Sequence, residues 1–429
     1  MKREWQSFIK PIFENKTLRT ILILGAAARL AAALALGMFD LDYYWEFGTI
    51  AEHLADGNGY SMFVFDGKEA EYIEDRDERL ALESAYPVPS AYMPPAYPLY
   101  LTPFMVVESD LLRNALLIAG ALAFYFLATL GVYKIALDLF DERVALWAAG
   151  FAAFLPDFIY SVNPTTSTAA THAVTALTVY AFVRLSDGFT WRRALLAGIF
   201  TAALIHLRME MWAYLFVASA VVLVKTRQWK APAVVVATVV LLAAPWQIRN
   251  YIVFDEYIPT TTAAGLNLYR GWNKYEVGHW GDDKMQAELK GYMDRKDYEA
   301  RVSETFRREA IEYATERPAE ATYRAFEKAF YFLVFDPKLM SAAEWLALPF
   351  HLVTFGLGIG GMLLFGVRDK RAMPALYFII SFAAAVAVFG LVRHQTLARI
   401  ALVPHAAAVA VLLFERYGTP IWRRLQERV

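Results

Sequence analysis

The stretch TILILGAAARLAAALALGMFDLDYYWEF, residues 20–47, decides how this chain is read. From Ile21 to Phe39 it is apolar except for Arg29, and it ends on two carboxylates, Asp40 and Asp42. A bilayer core is crossed by about 20 apolar helical residues. The run is too long for a signal-peptide core and no small-residue cleavage site follows it, so it reads as an uncleaved anchor. Lys2, Arg3, Lys10, Lys16 and Arg19 precede it and place the N-terminus on the cytoplasmic side.

Nine more apolar runs follow: Leu111–Lys134, Val144–Val162, Thr165–Arg184, Ala194–Leu207, Met211–Val224, Ala231–Trp246, Trp345–Val367, Pro374–Val392 and Ile400–Phe414. With the first they predict an all-α polytopic membrane protein of about ten transmembrane helices. Composition agrees. Of 429 residues, 58% are apolar and 20% charged, against roughly 45–50% and 25% in soluble domains; mean hydropathy is +0.33. Disorder is excluded by the same numbers. A formal charge of −1 gives no support to nucleic-acid binding. The absence of cysteine excludes disulfides, thiol catalysis and zinc–thiolate sites.

Basic residues mark alternate connections: Lys134/Arg143, Arg184/Arg192/Arg193, Lys225/Arg227/Lys230, Arg368/Lys370/Arg371 and the tail from Arg416 to Arg428. Positive charge collects on the cytoplasmic side. The two long connections then lie opposite, which predicts a bacterial inner-membrane protein with two long periplasmic loops. The first, Asp40–Asp110, carries fifteen acids against Lys68, Arg76 and Arg79, a net of −12; its stretch Asp66–Glu83 reads as a solvated charge run. The second opens near Asn250. Three parts are expected: residues 1–249, a membrane module with loop 40–110; residues 250–343, a periplasmic region with helices; and residues 344–429, the last membrane helices.

Within the second loop, Ala300–Phe335 reads as two helices broken at Pro318, with Arg308, Glu312 and Glu316 forming a solvated face. Val88–Thr102, VPSAYMPPAYPLYLT, reads as a shaped loop leading into an interfacial helix.

Several groups could carry chemistry. Asp40 and Asp42 at a helix end are either solvated boundary acids or a base for an acceptor hydroxyl or amine, flanked by Tyr43, Tyr44 and Trp45 as stacking rings. Arg29, at mid-span depth, must face the bundle and predicts a structural ion pair. Arg208 and Glu210 interrupt two short apolar runs, and such a break at membrane depth lines a cavity or is buried in protein. VRHQTLAR, residues 392–399, puts Arg393, His394 and Arg399 at outward helix ends, either as snorkelling residues or as a cationic pocket for a lipid-linked phosphate. No zinc-protease, P-loop, nucleophile-elbow or dinucleotide-binding pattern occurs, so an ATP-driven pump is unsupported. Nothing resembles a dedicated metal cage, and a divalent metal stays open.

Taken in order, these blocks resemble the GT-C membrane glycosyltransferases, in the branch of dolichyl-phosphate-mannose protein mannosyltransferases and the aminoarabinose transferase of lipid A. The acidic motif is followed by Ala51, Leu54, Gly57, Gly59 and Tyr60. PPAYPLYL spans Pro94–Leu101. Arg208-Met209-Glu210 comes next. Pro245-Trp246 with Arg249-Asn250-Tyr251 precedes Gly265-Leu266-Asn267-Leu268 and Gly271-Trp272-Asn273, and Arg399 with Pro404 lies in the last helix. Arg29 matches an arginine of the family's first helix.

The resemblance implies inverting transfer of one sugar from a polyprenyl-phosphate donor to a periplasmic protein, lipid or glycan. It implies a base among Asp42 and Asp40, with Asp42 nearer the family spacing from Ala51, and phosphate held by Arg393, His394 and Arg399. It also implies a substrate cavity that includes Tyr43, Tyr44, Tyr92, Tyr97, Asp157, Arg208, Glu210, Arg249 and Asn273. Two departures stand out. Two aspartates compete at the acidic motif, and the stretch Asn163–Thr168 lacks the acid that opens the family's fourth helix, leaving nearby Asp157 in its place. The mechanism requires Asp42 and Arg399 to converge on one outward chamber. The rival readings are an oligosaccharide ligase or polymerase with a pyrophosphate donor, a secondary transporter, and a scaffold. The transporter reading expects matched broken halves, and the break at Arg208–Glu210 has no counterpart.

Overall fold

The computed structural model describes residues 2–62, 88–258, 261–278, 298–334, 342–366, 369–389 and 392–418. The acidic stretch Asp66–Glu83 lies outside the described residues.

Helix starts follow local capping chemistry. After α1 (Lys2–Glu14), the Asn15 side chain accepts from Leu18 N at 2.9 Å and opens α2 (Lys16–Ala35). α3 (Trp45–Ala55) and α4 (Ala96–Met105) lie within the first long connection. Within that connection Ser61–Met62 (β1) pairs antiparallel with Val88–Pro89 (β2), the one sheet among the described residues. Ser109 caps α5 (Asp110–Leu139) and Asp141 caps α6 (Glu142–Phe154). A short α7 (Pro156–Tyr160) leads to α8 (Thr168–Ser186), then Thr190 caps α9 (Trp191–Leu207). Such oxygens satisfy N–H groups that a helix start leaves unpaired. Next come α10 (Trp212–Thr226), α11 (Lys230–Phe254), α12 (Ala263–Gly271), α13 (Tyr298–Glu316) and α14 (Pro318–Leu333). The chain closes with α15 (Ala342–Phe365), α16 (Ala372–Ala387) and α17 (Val392–Leu413).

Each of the ten apolar runs contains a helix, but only seven segments among the described residues are long and apolar enough to cross a bilayer: Lys16–Ala35, Asp110–Leu139, Met209–Thr226, Lys230–Phe254, Ala347–Phe365, Asp369–Ala387 and Gln395–Tyr417. The exceptions have physical reasons. The run Val144–Val162 is not one helix, because Pro156 has no N–H and holds Leu155 extended at ψ 131°. α8 packs between α5 and α9 and buries Thr171, Thr175 and Thr178, so it meets protein instead of lipid and tolerates hydroxyls. α9 ends at Arg208, where a 3₁₀ turn, Met209–Met211, breaks the path into α10 as expected. The predicted break at Pro318 also occurs, with Arg317 between α13 and α14, and Arg308, Glu312 and Glu316 are exposed.

The aliphatic core runs along α8–α11 and, separately, along α2, α5, α6 and α17. Exposed Trp191, Trp229 and Tyr417 mark the face with the basic connections. Exposed Tyr251, Tyr257 and Trp345 mark the opposite face, called the loop face below. Aromatic belts of this kind sit at bilayer interfaces.

Arg29 corrects an expectation. It forms no ion pair among the described residues. Its Nη1 donates to the carbonyls of Gly25 (3.1 Å) and Ala153 (2.8 Å), its Nη2 to those of Ala152 (3.1 Å) and Phe158 (2.9 Å), and its guanidinium lies 3.7 Å over the Tyr125 ring. In a continuous helix Ala152 O would receive the N–H of residue 156, which is proline. Arg29 supplies the missing donor and ties α2 to the α6–α7 corner. A buried carbonyl left unpaired costs about 1–3 kcal/mol. Arg29→Met therefore lowers unfolding stability by roughly 3 kcal/mol or more in a detergent melt. Pro156→Ala, which restores one N–H, costs less in the Arg29→Met background than in the parent. Additive losses would disprove the link.

Candidate active site

The carboxylates at the loop-face end of α2 sit on a pinned backbone. Asn114 of α5 donates through Nδ2 to Phe39 O (3.1 Å) and Leu41 O (2.7 Å), the carbonyls on either side of Asp40. Its Oδ1 accepts the Tyr44 hydroxyl at 2.6 Å, and Arg113 Nε reaches that hydroxyl at 3.2 Å. Immediately after, Trp45 holds a left-handed φ of 53°, a costly conformation for a bulky residue. Asp40 and Asp42 are exposed, and neither carboxylate has a partner among the described residues. The turn carrying them packs through Met38, Phe39 and Leu41 against Val162 and Ala169, just beyond α7.

α7 carries Asp157, whose carboxylate accepts from Arg399 Nη2 and from Thr396 Oγ1, both on α17. Arg399 is 2% exposed, and its Nε and Nη1 are buried without a hydrogen-bond partner among the described residues. His172 Nε2 donates to Thr396 O at 3.2 Å. His351 of α15 shares the Phe355 ring with Arg399, at 4.5 and 5.6 Å, and its Nε2 is buried and unpartnered. The site thus holds two guanidinium N–H positions and one imidazole nitrogen, all buried and without a hydrogen-bond partner among the described residues, around one ion pair at the same end of the bundle as the exposed aspartates. Asp42 and Arg399 themselves do not meet. Asp42 is exposed, Arg399 is buried against Asp157, and the small cavity lined by Arg29, Thr129, Ser161 and His172 includes neither. The side chains of Arg393 and His394 lie outside the described residues. No three His, Asp or Glu side chains converge on a metal position among the described residues.

Other expected cavity residues are structural ties. Tyr44 is 1% exposed and bonded as above. Tyr97 donates to Pro164 O at 2.7 Å, fixing α4 to the 161–168 turn, and burial pushes its hydroxyl well above the usual range. Asn273 closes the turn after α12, donating to Tyr269 O and Glu276 O and accepting from Tyr275 N and Glu276 N. In all three, every polar side-chain atom has a protein partner, so each also ties the scaffold together. Arg249 donates to Ser90 O (2.5 Å) and Tyr60 O (2.7 Å), clamping the β1–β2 pair. Tyr43 is half-buried against Trp45, and Tyr92 is half-buried between two apolar clusters. Arg208 donates through Nε to Glu210 at 2.7 Å, a self-neutralised pair at the α9–α10 break.

Sequence reasoning missed Asn114, Thr396, His172, His351 and Glu299. Glu299 is buried on α13, where its Oε2 accepts from Ala91 N (2.8 Å) and Thr262 Oγ1 (2.7 Å). Burial pushes its carboxyl up, against the pull of Ser90, Ala91, Thr262 and Arg249. Arg249 and Glu299 therefore grip residues 90–91 from two sides. No local pattern announces these residues, since their partners lie far away in the chain.

Residues 93–248 match the sequence model of the family described as dolichyl-phosphate-mannose-protein mannosyltransferase. No curated protein matches the chain significantly. Among solved structures, the chain is similar to the Archaeoglobus fulgidus oligosaccharyltransferase AglB in complex with an inhibitory peptide and a dolichol-phosphate. The TM-score is 0.52 at 13% identity, over 97% of this chain and 52% of that one. The apo form of the A. fulgidus oligosaccharyltransferase gives a TM-score of 0.53 at 13% identity, over 97% and 52%. Its complex with zinc and sulfate gives 0.54 at 12% identity, over 95% and 51%. The chain thus spans about half the length of the solved proteins it resembles. It joins a sequence match to a mannosyltransferase family over residues 93–248 with a fold similar to that of an oligosaccharyltransferase along nearly all its length.

Proposed function

We propose that the chain transfers a single sugar, with inversion, from a polyprenyl-phosphate donor to a protein, lipid or glycan acceptor on its loop face, the periplasmic side of a bacterial inner membrane. One observation carries this reading: the exposed Asp40–Asp42 turn packs against the residues that follow α7, and α7 holds the Asp157–Arg399 pair. Acid and guanidinium, hundreds of residues apart in sequence, share one end of the bundle.

In the proposed step Asp42 takes a proton from the acceptor, whose oxygen or nitrogen attacks the anomeric carbon from the side opposite the phosphate. The bond from that carbon to the phosphate oxygen breaks, and the leaving polyprenyl phosphate keeps the electron pair. A leaving phosphate is already anionic, so cations stabilise it without a general acid. Arg399 supplies that charge, with Arg393 and His394 as further candidates at the start of α17. Because Arg399 is buried, paired and shares no chamber with Asp42 in this structure, the step requires donor binding to displace Asp157 from Arg399 and to open a path between the phosphate and the Asp42 carboxylate. A divalent metal remains compatible with the exposed aspartates.

The likeness to an oligosaccharyltransferase solved with dolichol-phosphate favours a second reading, transfer of a whole oligosaccharide. The protein purified in native lipid and offered both donor classes separates the two. Transfer from a polyprenyl monophosphate sugar, and mass-spectrometric recovery of that lipid with the protein, is the expected result. Turnover of pyrophosphate-linked oligosaccharide alone would replace the first reading with the second.

A further inference from the structure

Two consecutive helices outside the spanning set have opposite outward faces. The exposed side of α13 carries Arg301, Glu304, Arg307, Arg308 and Glu312, a surface built for water. On α14, beyond Glu320, the exposed residues are Thr322 and three rings, Tyr323 (67%), Phe326 (70%) and Phe330 (49%), the rings spaced by three and four residues on one stripe. The charges of that same stretch are turned away from the stripe. Arg324 and Glu327 pair with each other at 2.6 Å, and Lys328 is 1% exposed, its Nζ 3.4 Å from the Trp272 ring centre and 3.2 Å from Val388 O.

The position of α14 says what covers the stripe. Its inner side rests on the loop-face ends of two spanning helices, through Lys328 to the end of α16 and through Tyr331 O, which accepts Gln395 Nε2 at the start of α17. Phe332 packs into the rings of Phe355, Phe378 and Phe382. On α15, whose Phe355 ring Phe332 meets, Trp345 and Phe350 are likewise exposed. A helix of 16 residues is about 24 Å long and too short to cross. One apolar aromatic face, neutralised charge and placement beside the ends of spanning helices match a helix lying in the bilayer interface.

We propose that α14 is an interfacial helix whose Tyr323, Phe326 and Phe330 insert into the outer leaflet, with bilayer lipid as the occupant. It sets the depth of the α16–α17 ends, and with them Arg399, at the level of lipid headgroups. The proposal does not depend on which sugar is moved.

The chain has no cysteine, so a single introduced cysteine takes a spin label at one place only. Phe326→Cys and Phe330→Cys test the stripe, Arg308→Cys and Glu312→Cys report the water-facing helix, and Leu363→Cys on α15, 80% exposed, is the lipid reference. Each full-length protein is reconstituted in phosphatidylcholine–phosphatidylglycerol bilayers and read by collision with oxygen and with a water-soluble nickel chelate. Labels at 326 and 330 are expected to collide with oxygen like 363, with nickel collisions at least several-fold below those at 308 and 312. Two results overturn the proposal. One is a nickel collision rate at 326 equal to that at 312. The other is shielding from both probes, which means a second copy or a protein partner covers the stripe.

Discussion

Asp42→Asn eliminates sugar transfer, lowering turnover by roughly 10²–10⁴, the usual worth of a positioned base, while leaving the thermal transition and donor affinity of the protein in place. The retained fold follows from the structure. Asp42 is exposed and makes no hydrogen bond or ion pair among the described residues, so an isosteric amide removes charge without removing a contact. The turn is held by other atoms, the two Asn114 Nδ2 bonds to Phe39 O and Leu41 O and the Tyr44 hydroxyl on Asn114. A base mounted on so firmly pinned a backbone is pre-positioned. Asp40→Asn serves as the comparison, because Asp40 lies between the two carbonyls that Asn114 binds and is equally exposed. Transfer falls with Asp42 and survives with Asp40. Full activity in both variants would remove the base from this turn altogether. Asn114→Leu lowers turnover in a different way, by loosening the turn, and its loss is accompanied by a lower unfolding temperature.

Much of the fold follows from local pattern. The apolar runs, the acids that end the first of them, the charged break at Arg208–Glu210 and the proline break before α14 are all properties of a few adjacent residues, and the structure keeps them. The parts of the site that were not legible depend on partners remote in the chain. Arg29 was expected to need a carboxylate because a buried arginine needs compensation; carbonyls freed by Pro156, more than a hundred residues on, provide it. For Arg399 the sequence leaves snorkelling and a phosphate pocket both open, because it shows the charge but not the neighbour, and Asp157 lies 242 residues away. His351 and Glu299 carry no motif at all. The apolar stretch before Val162 shows the converse error. Hydropathy sums across a proline, but hydrogen bonding does not.

Arg399 and Asp157 give opposite effects on donor affinity if phosphate and carboxylate compete for one guanidinium. Asp157 accepts from Nη2 and is itself held by the Thr396 hydroxyl, while Nε and Nη1 are buried with no hydrogen-bond partner among the described residues. Charge-assisted hydrogen bonds are worth about 1.5–3 kcal/mol each. Arg399→Gln therefore weakens binding of a polyprenyl phosphate roughly 10- to 100-fold. Arg399→Lys recovers part of it, keeping the charge and losing the planar fork. Asp157→Asn removes the competitor, keeps the shape of the side chain, and tightens phosphate binding several-fold. Thr396→Val loosens the carboxylate without discharging it and moves affinity the same way by less. These are equilibrium measurements with inorganic phosphate and with the lipid phosphate in detergent, so they do not depend on which acid is the base. A purely structural ion pair predicts another pattern, because breaking a buried pair from either side exposes an uncompensated charge and destabilises the fold. All three variants at Arg399 and Asp157 would then lose affinity together with thermal stability. Affinity moving in opposite directions is the signature of a latch that the donor opens, and losses in the same direction would reduce the pair to scaffold.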